Sequence, residues 1–118
     1  MEFRSVKSIT KLHQMELSTK FRFTDQVDYA PASVVSKQIT KNDKGNITLF
    51  AFDKGEGLSE HTAPYDALVM LVDGKAEIII GGVSHILVQH ENILMPANIP
   101  HALKAVEAFK MVLVMIKA

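Results

Sequence analysis

No cysteine occurs anywhere in the chain, which excludes disulfides, thiolate catalysis and cysteine-ligated zinc. Neither sign of charge predominates: thirteen Lys and Arg are balanced by thirteen Asp and Glu, without a Lys/Arg cluster. Nucleic acid and anionic membrane surfaces both call for such a basic footprint, so neither is an expected partner. Long hydrophobic runs are missing as well. The longest, residues 67–72 and 111–116, hold six residues each, against the ~20 of a membrane-spanning helix. Met1-Glu2-Phe3-Arg4-Ser5-Val6-Lys7 lacks the apolar stretch of a secretory signal, so the expected location is the cytoplasm. There is no Gly-rich phosphate loop, no nucleophile elbow and no recognisable general-acid pair of carboxylates.

What is present suits one domain. With 118 residues, 47% hydrophobic and 22% charged, the chain supports a single core. A domain of this size leaves roughly 30–40% of its unfolded-chain surface exposed, so it gains from pairing with a copy of itself. Residues 1–25 read as an N-terminal arm and residues 26–118 as the domain proper. In the arm, Ile9, Leu12, Met15 and Leu17 hint at a turn or two of helix. Phe21, Phe23, Val27 and Tyr29 then fall on alternate positions, as in a half-buried strand that Pro31 stops.

From there the chain alternates short β-type runs with turn residues. Residues 33–40, 47–52, 67–72, 76–80, 85–88, 92–95, 102–106 and 109–116 are predicted strands. Asp73-Gly74 and Gly81-Gly82, each between apolar runs, are hairpin signals because those positions need positive φ. Short strands at this spacing predict an all-β sandwich or barrel. Residues 67–72 and 111–116 leave no polar side for water, so each must be covered on both faces. The second cover is expected from a partner subunit, and the chain is expected to be a homodimer.

Two histidines stand out by context. His61 lies in Gly55-Glu56-Gly57-Leu58-Ser59-Glu60-His61-Thr62-Ala63-Pro64-Tyr65-Asp66-Ala67, and His101 closes Met95-Pro96-Ala97-Asn98-Ile99-Pro100-His101. Pro96 and Pro100 fix φ and push the residues before them into extended conformations, while Asn98 tolerates the left-handed region. The expected result is a rigid turn delivering His101 to the start of a strand.

These segments resemble the two motifs of the cupin family. Gly55, His61 and Gly74 match the first motif, and Pro96 with His101 matches the second; the likeness runs from about Val34 to Lys117. It implies an all-β, cupin-type jelly-roll barrel, commonly dimeric, with its site in the lumen. The family's usual metal site takes two histidines and a glutamate from the first motif and a histidine from the second. His61 and His101 keep their places here, whereas Ala63 and Ala67 stand where the other histidine and the glutamate would be. Five of the ten signature positions are retained, and His90, Asn98 and Ala105 fill the other three altered places.

A catalytic metal normally has three protein ligands, and two imidazoles hold a divalent ion weakly. No tightly bound cofactor is expected; a weakly held Fe, Mn, Ni or Zn through His61 and His101 is the alternative. In a regular strand His61, Ala63, Tyr65 and Ala67 would share a face, placing the Tyr65 phenol beside the histidines, with Glu60 or Asp66 as oxygen donors only if the strand bulges. The plain reading of the histidines is a structural pair, bonded to each other or to water. Met95 is read as a candidate at the pocket mouth, and Met70, Met111 and Met115 as gap-fillers in apolar strands. Phe50, Phe52 and Phe109 read as core, His85 as a strand or rim residue, His90 as a solvated turn residue, and His13 carries no functional weight. Three functions follow: a small-molecule-binding module whose His61, His101 and Tyr65 orient a ligand, with an anionic one expected; a metal-dependent enzyme of the oxygenase or isomerase kind; and a metal-free general base at either histidine.

Overall fold

The computed structural model describes the backbone of residues 9–12 and the whole of residues 15–117. Turn residues cut the sequence into strands β1 (Ile9–Leu12), β2 (Val34–Asn42), β3 (Gly45–Phe52), β4 (Gly57–His61), β5 (Ala67–Asp73), β6 (Lys75–Ile80), β7 (Val83–Val88), β8 (Asn92–Met95), β9 (His101–Ala105) and β10 (Phe109–Ile116). They form a six-stranded sheet in the order β1-β2-β3-β10-β5-β8 and a four-stranded sheet in the order β4-β9-β6-β7. The two sheets face each other as the jelly-roll barrel expected from the sequence. Val34, Phe50, Phe52, Leu58, Val69, Leu71, Ile78, Leu103, Met111 and Leu113 fill the space between them as one buried cluster.

The register assigns each residue to a face. Leu113 stands opposite Val69 on one side and Thr48 on the other, and Thr48 in turn opposite Gln38. Ser36, paired with Phe50, lies on this same inner face and is buried. One end of the barrel is closed by the corner at Gly74 and by the Phe52–Phe109 stack, with ring centroids 4.4 Å apart. The other end holds Asn46, Tyr65 and the starts of β5 and β9; Asn46, Thr48 and Tyr65 are half-buried there, whereas Ala67 and His101 are buried.

Several sequence expectations need correction. Ile9–Leu12 is a strand parallel to β2, not a helical turn, and Met15 and Leu17 lie in irregular chain; His13 lies outside the described residues. Residues 21–29 form no strand. Phe23–Asp25 makes a 3-10 turn, and Phe23, Val27, Tyr29 and Ala30 pack on the outer face of the large sheet, over Leu49, Ala51 and Val112. Part of the second cover demanded by β5 and β10 is therefore this chain's own segment. It is fastened by polar contacts: the Tyr29 hydroxyl donates to Asp73 Oδ2 at 2.5 Å, and Lys110 Nζ donates to the Thr24 carbonyl at 2.8 Å while lying 5.0 Å from the Tyr29 ring centroid. Burial, and then the Asp73 carboxylate, push the Tyr29 phenol far above its ordinary pKa.

Asp73-Gly74 is not a hairpin either. β5 pairs with β10 and β8, β6 with β7 and β9, so Gly74 is the point where the chain passes from one sheet to the other. Gly81-Gly82 does close the β6–β7 hairpin as expected, with φ of 55° and 81°. β4 was not foreseen as a strand. No described helix is long and apolar enough to cross a membrane.

Candidate functional site at the partly exposed end of the barrel

His61 reaches the inner face through a break in register. On β4, Leu58 faces Leu103 across the β4–β9 ladder, and simple alternation from Leu58 would turn His61 outward. Three steps along β4 nevertheless match two along β9, since His61 stands opposite His101. This is a bulge, with Ser59 and Glu60 both exposed, and the extra residue re-aims the imidazole inward.

His101 is delivered by the turn predicted from the two prolines. Asn98 has a φ of 66° and its N–H donates to the Ala63 carbonyl at 2.8 Å, which ties the two motif loops together. The Ala97 N–H donates to Asp66 Oδ1 at 2.8 Å, and the Gly81 N–H to the Pro100 carbonyl at 2.8 Å. His101 then opens β9 at 2% exposure, opposite Ile80.

The two rings meet edge to face, with centroids 4.3 Å apart and Nε2 atoms 3.1 Å apart. His61 Nδ1 lies 2.8 Å from the Ser59 carbonyl, whereas His101 Nδ1 lies a longer 3.3 Å from the Ile99 carbonyl. A carbonyl only accepts, so His61 carries its proton on Nδ1 and presents a bare Nε2. His101 Nε2–H is then the donor between the rings, which leaves His101 Nδ1 as the place for an added proton, donated to Ile99. Burial first, then the His61 ring, hold the His101 pKa below its ordinary 6.5, with the Ile99 carbonyl acting weakly in the other direction. Neutral His101 is therefore the resting form at neutral pH.

The other residues named from the sequence divide by depth. Tyr65 is half-buried against the lumen cluster, where Lys117 Nζ lies 5.7 Å from its ring centroid. Ala63, Ala67 and Met95 are buried at 4%, 1% and 1% exposure, with Met95 paired to Ala67 and packed in the core cluster. Because β4 ends at His61, positions 61–67 are not one regular strand. The bulge does not recruit an oxygen donor: Glu60 is exposed, and the Asp66 carboxylate holds the Ala97 N–H. His85 is half-buried on β7, and His90 is an exposed turn residue with a φ of 74°, the conformation glycine takes most readily. Among the described residues, no three His, Cys, Asp or Glu side chains converge in a way that would hold a metal ion. The donor set thus does not fit the family's four-ligand centre. Sequence reasoning did not single out Lys117 or the inner-face polar residues Ser36, Gln38, Asn46 and Thr48; strand parity along β2 and β3 was the available signal.

Comparison with known proteins agrees with the architecture. The family described as the cupin domain matches residues 48–117, more than half of the chain. A conserved protein of unknown function from Streptococcus pyogenes is similar at 36% identity and a TM-score of 0.84, over 88% of this chain and 91% of that one. A cupin 2 conserved barrel domain protein from Leptotrichia buccalis is 38% identical with a TM-score of 0.80, over 82% of this chain but 47% of that one. A cupin superfamily protein from Desulfitobacterium hafniense shares the fold over the full length of both chains, at 21% identity and a TM-score of 0.82. No curated protein matches.

Proposed function

The chain belongs to the cupin family, and on that premise we propose that it is a small-molecule-binding cupin whose partly exposed barrel end takes an anionic ligand, a carboxylate foremost. The supporting observation is the direct His61–His101 contact, Nε2 to Nε2 at 3.1 Å, in a lumen where Ala63 and Ala67 offer no donor. A carboxylate arriving there favours protonation of the pair, since a cationic imidazole gives it a charge-assisted hydrogen bond. Lys117, beside Tyr65, adds a second positive charge at the same end. Binding then takes up a proton, and affinity rises as the pH falls toward the lowered His101 pKa. The cytoplasmic location expected from the sequence belongs to the same proposal.

One observation favours a second reading, a metal-dependent oxygenase or isomerase. Two imidazole nitrogens bound to one zinc at about 2.0–2.1 Å lie about 3.3 Å apart, close to the separation of this pair. Metal analysis of the purified protein, with carboxylate binding measured on the same sample, separates the two. The expected result is carboxylate binding that weakens in His101→Ala, with little metal in either protein. About one equivalent of iron, manganese, nickel or zinc per chain, lost in His101→Ala, would establish the metal reading instead.

We further propose that the chain pairs with a copy of itself through the part of the large sheet's outer face that residues 23–30 leave uncovered. Leu94 and Ile116 are 60% and 63% exposed there, and Leu68, which stands opposite both Leu94 and Val114, is half-buried. A Leu94→Lys variant is expected to elute and scatter as a monomer where the unaltered protein is a dimer. A dimer that persists in the variant would place the contact elsewhere.

A further inference from the structure

The polar side chains across the lumen from the histidines play no part in the carboxylate reading. Asn46 stands opposite Met115, and Thr48 opposite Leu113, both partners being buried lumen residues. Gln38 is opposite Thr48, and Ser36 opposite Phe50. Strand parity therefore puts two amides and two hydroxyls on the inner face of β2 and β3, beside inner positions of β10 and β5 that are apolar. The Thr48 hydroxyl and the Asn46 amide oxygen lie 3.5 Å apart, which is the outer limit of a hydrogen bond. A strand needs no polar residue on a face that packs against a core, and Leu113, Val69 and Phe50 continue the same face with hydrocarbon alone. The polar row runs from buried Ser36 to half-buried Gln38, Thr48 and Asn46, toward the end that also carries His61, Tyr65 and Lys117.

From this juxtaposition we propose that the ligand is a short carboxylate bearing hydroxyl groups, its carboxylate at the imidazole pair and its hydroxyls on Gln38, Asn46 and Thr48, with Ser36 deepest. The inference rests on the carboxylate reading and adds the chemistry of the rest of the molecule. Amides and hydroxyls both donate and accept, as ligand hydroxyls do, whereas an alkyl chain offers these groups no hydrogen bond. A site built to hydrogen-bond a hydroxyl rejects the analogue that lacks it far more strongly than an apolar pocket rejects an added one.

The test compares gluconate with hexanoate, which have equal carbon length and the same charge, by titration calorimetry at mildly acidic pH. Gluconate is expected to bind more tightly by roughly tenfold or more. Thr48→Val, which keeps the side-chain shape and removes the hydroxyl, is expected to cut that preference severalfold, and Gln38→Met serves as an independent variant. Equal affinity for the two probes, with the ratio unmoved in both variants, overturns the hydroxyl row and leaves the carboxylate reading standing. If neither probe binds the unaltered protein, both readings fall together. Melting temperatures close to the parent confirm that a lost preference is not a lost fold.

Discussion

Replacing His101 by alanine is expected to weaken carboxylate binding by roughly tenfold to a hundredfold, the worth of a charge-assisted hydrogen bond of about 1.5–3 kcal/mol. The same substitution is expected to remove a pH dependence of stability. His101 is buried, and its pKa in the fold lies below the ordinary 6.5 that it regains on unfolding. Between those two values the unfolded chain binds the proton more tightly, so acid favours unfolding. The stabilisation is complete above about pH 6.5 and is lost as the pH falls through the lower, folded value. Denaturant midpoints measured at pH 7.5 and at pH 5 follow this directly, once the general acid sensitivity of the carboxylates is subtracted through the variant. A parent protein whose acid loss equals that of His101→Ala would contradict the buried, neutral placement. Ligand works in the opposite sense: a bound anion favours the protonated pair, so the acid penalty shrinks when carboxylate is present.

Gly74→Ala carries the largest expected loss of stability. Gly74 has a φ of 82°, and a Cβ built there would overlap the Ala108 carbonyl oxygen and lie 2.7 Å from the Phe109 Cα. These are backbone atoms at the corner where β5 leaves one sheet and β6 enters the other, so they cannot swing aside. Left-handed backbone costs a residue with a Cβ about 1–2 kcal/mol, and forced overlap about 1–3 kcal/mol more. Gly82→Ala is the matched control. Its φ of 81° is nearly the same, but nothing lies within 4 Å of its Cβ position. Only the conformational part is expected there, about 1–2 kcal/mol. Equal destabilisation of the two variants, measured by urea unfolding, would show that the corner is not tightly packed. Because Gly74 lies at the closed end of the barrel, a folded fraction of Gly74→Ala is expected to keep the histidine pair intact.

The same glycine shows what local sequence carries. Asp73-Gly74 announces a positive φ, and one is there, but a hairpin and a crossing between sheets need the same conformation; which of them forms depends on partners distant in the chain. The runs of β2, β3 and β5 to β10 were legible because Gly, Asn, Asp and Pro mark nearly every break. Residues 21–29 misled for a related reason. Alternation at Phe21, Phe23, Val27 and Tyr29 reports a side to bury and does not supply a neighbouring strand to bond with, and the segment buries that side by lying across a finished sheet. The site was legible as residue types at a spacing. His101 followed from Pro96, Asn98 and Pro100. His61 did not follow from parity, because the bulge at Ser59-Glu60 depends on β9 for its existence. Tyr65 and Lys117 meet through the ends of elements far apart in sequence, and no local pattern announces that contact.

The ring nitrogens of the two histidines give the most direct test, read by long-range proton–nitrogen correlation spectra at neutral pH and during titration with a carboxylate. The account predicts His61 protonated at Nδ1 and His101 protonated at Nε2, with the added proton appearing on His101 Nδ1 as the ligand binds. Two rings that each average between tautomers, or that keep the same proton pattern throughout a titration in which the ligand binds, would contradict it.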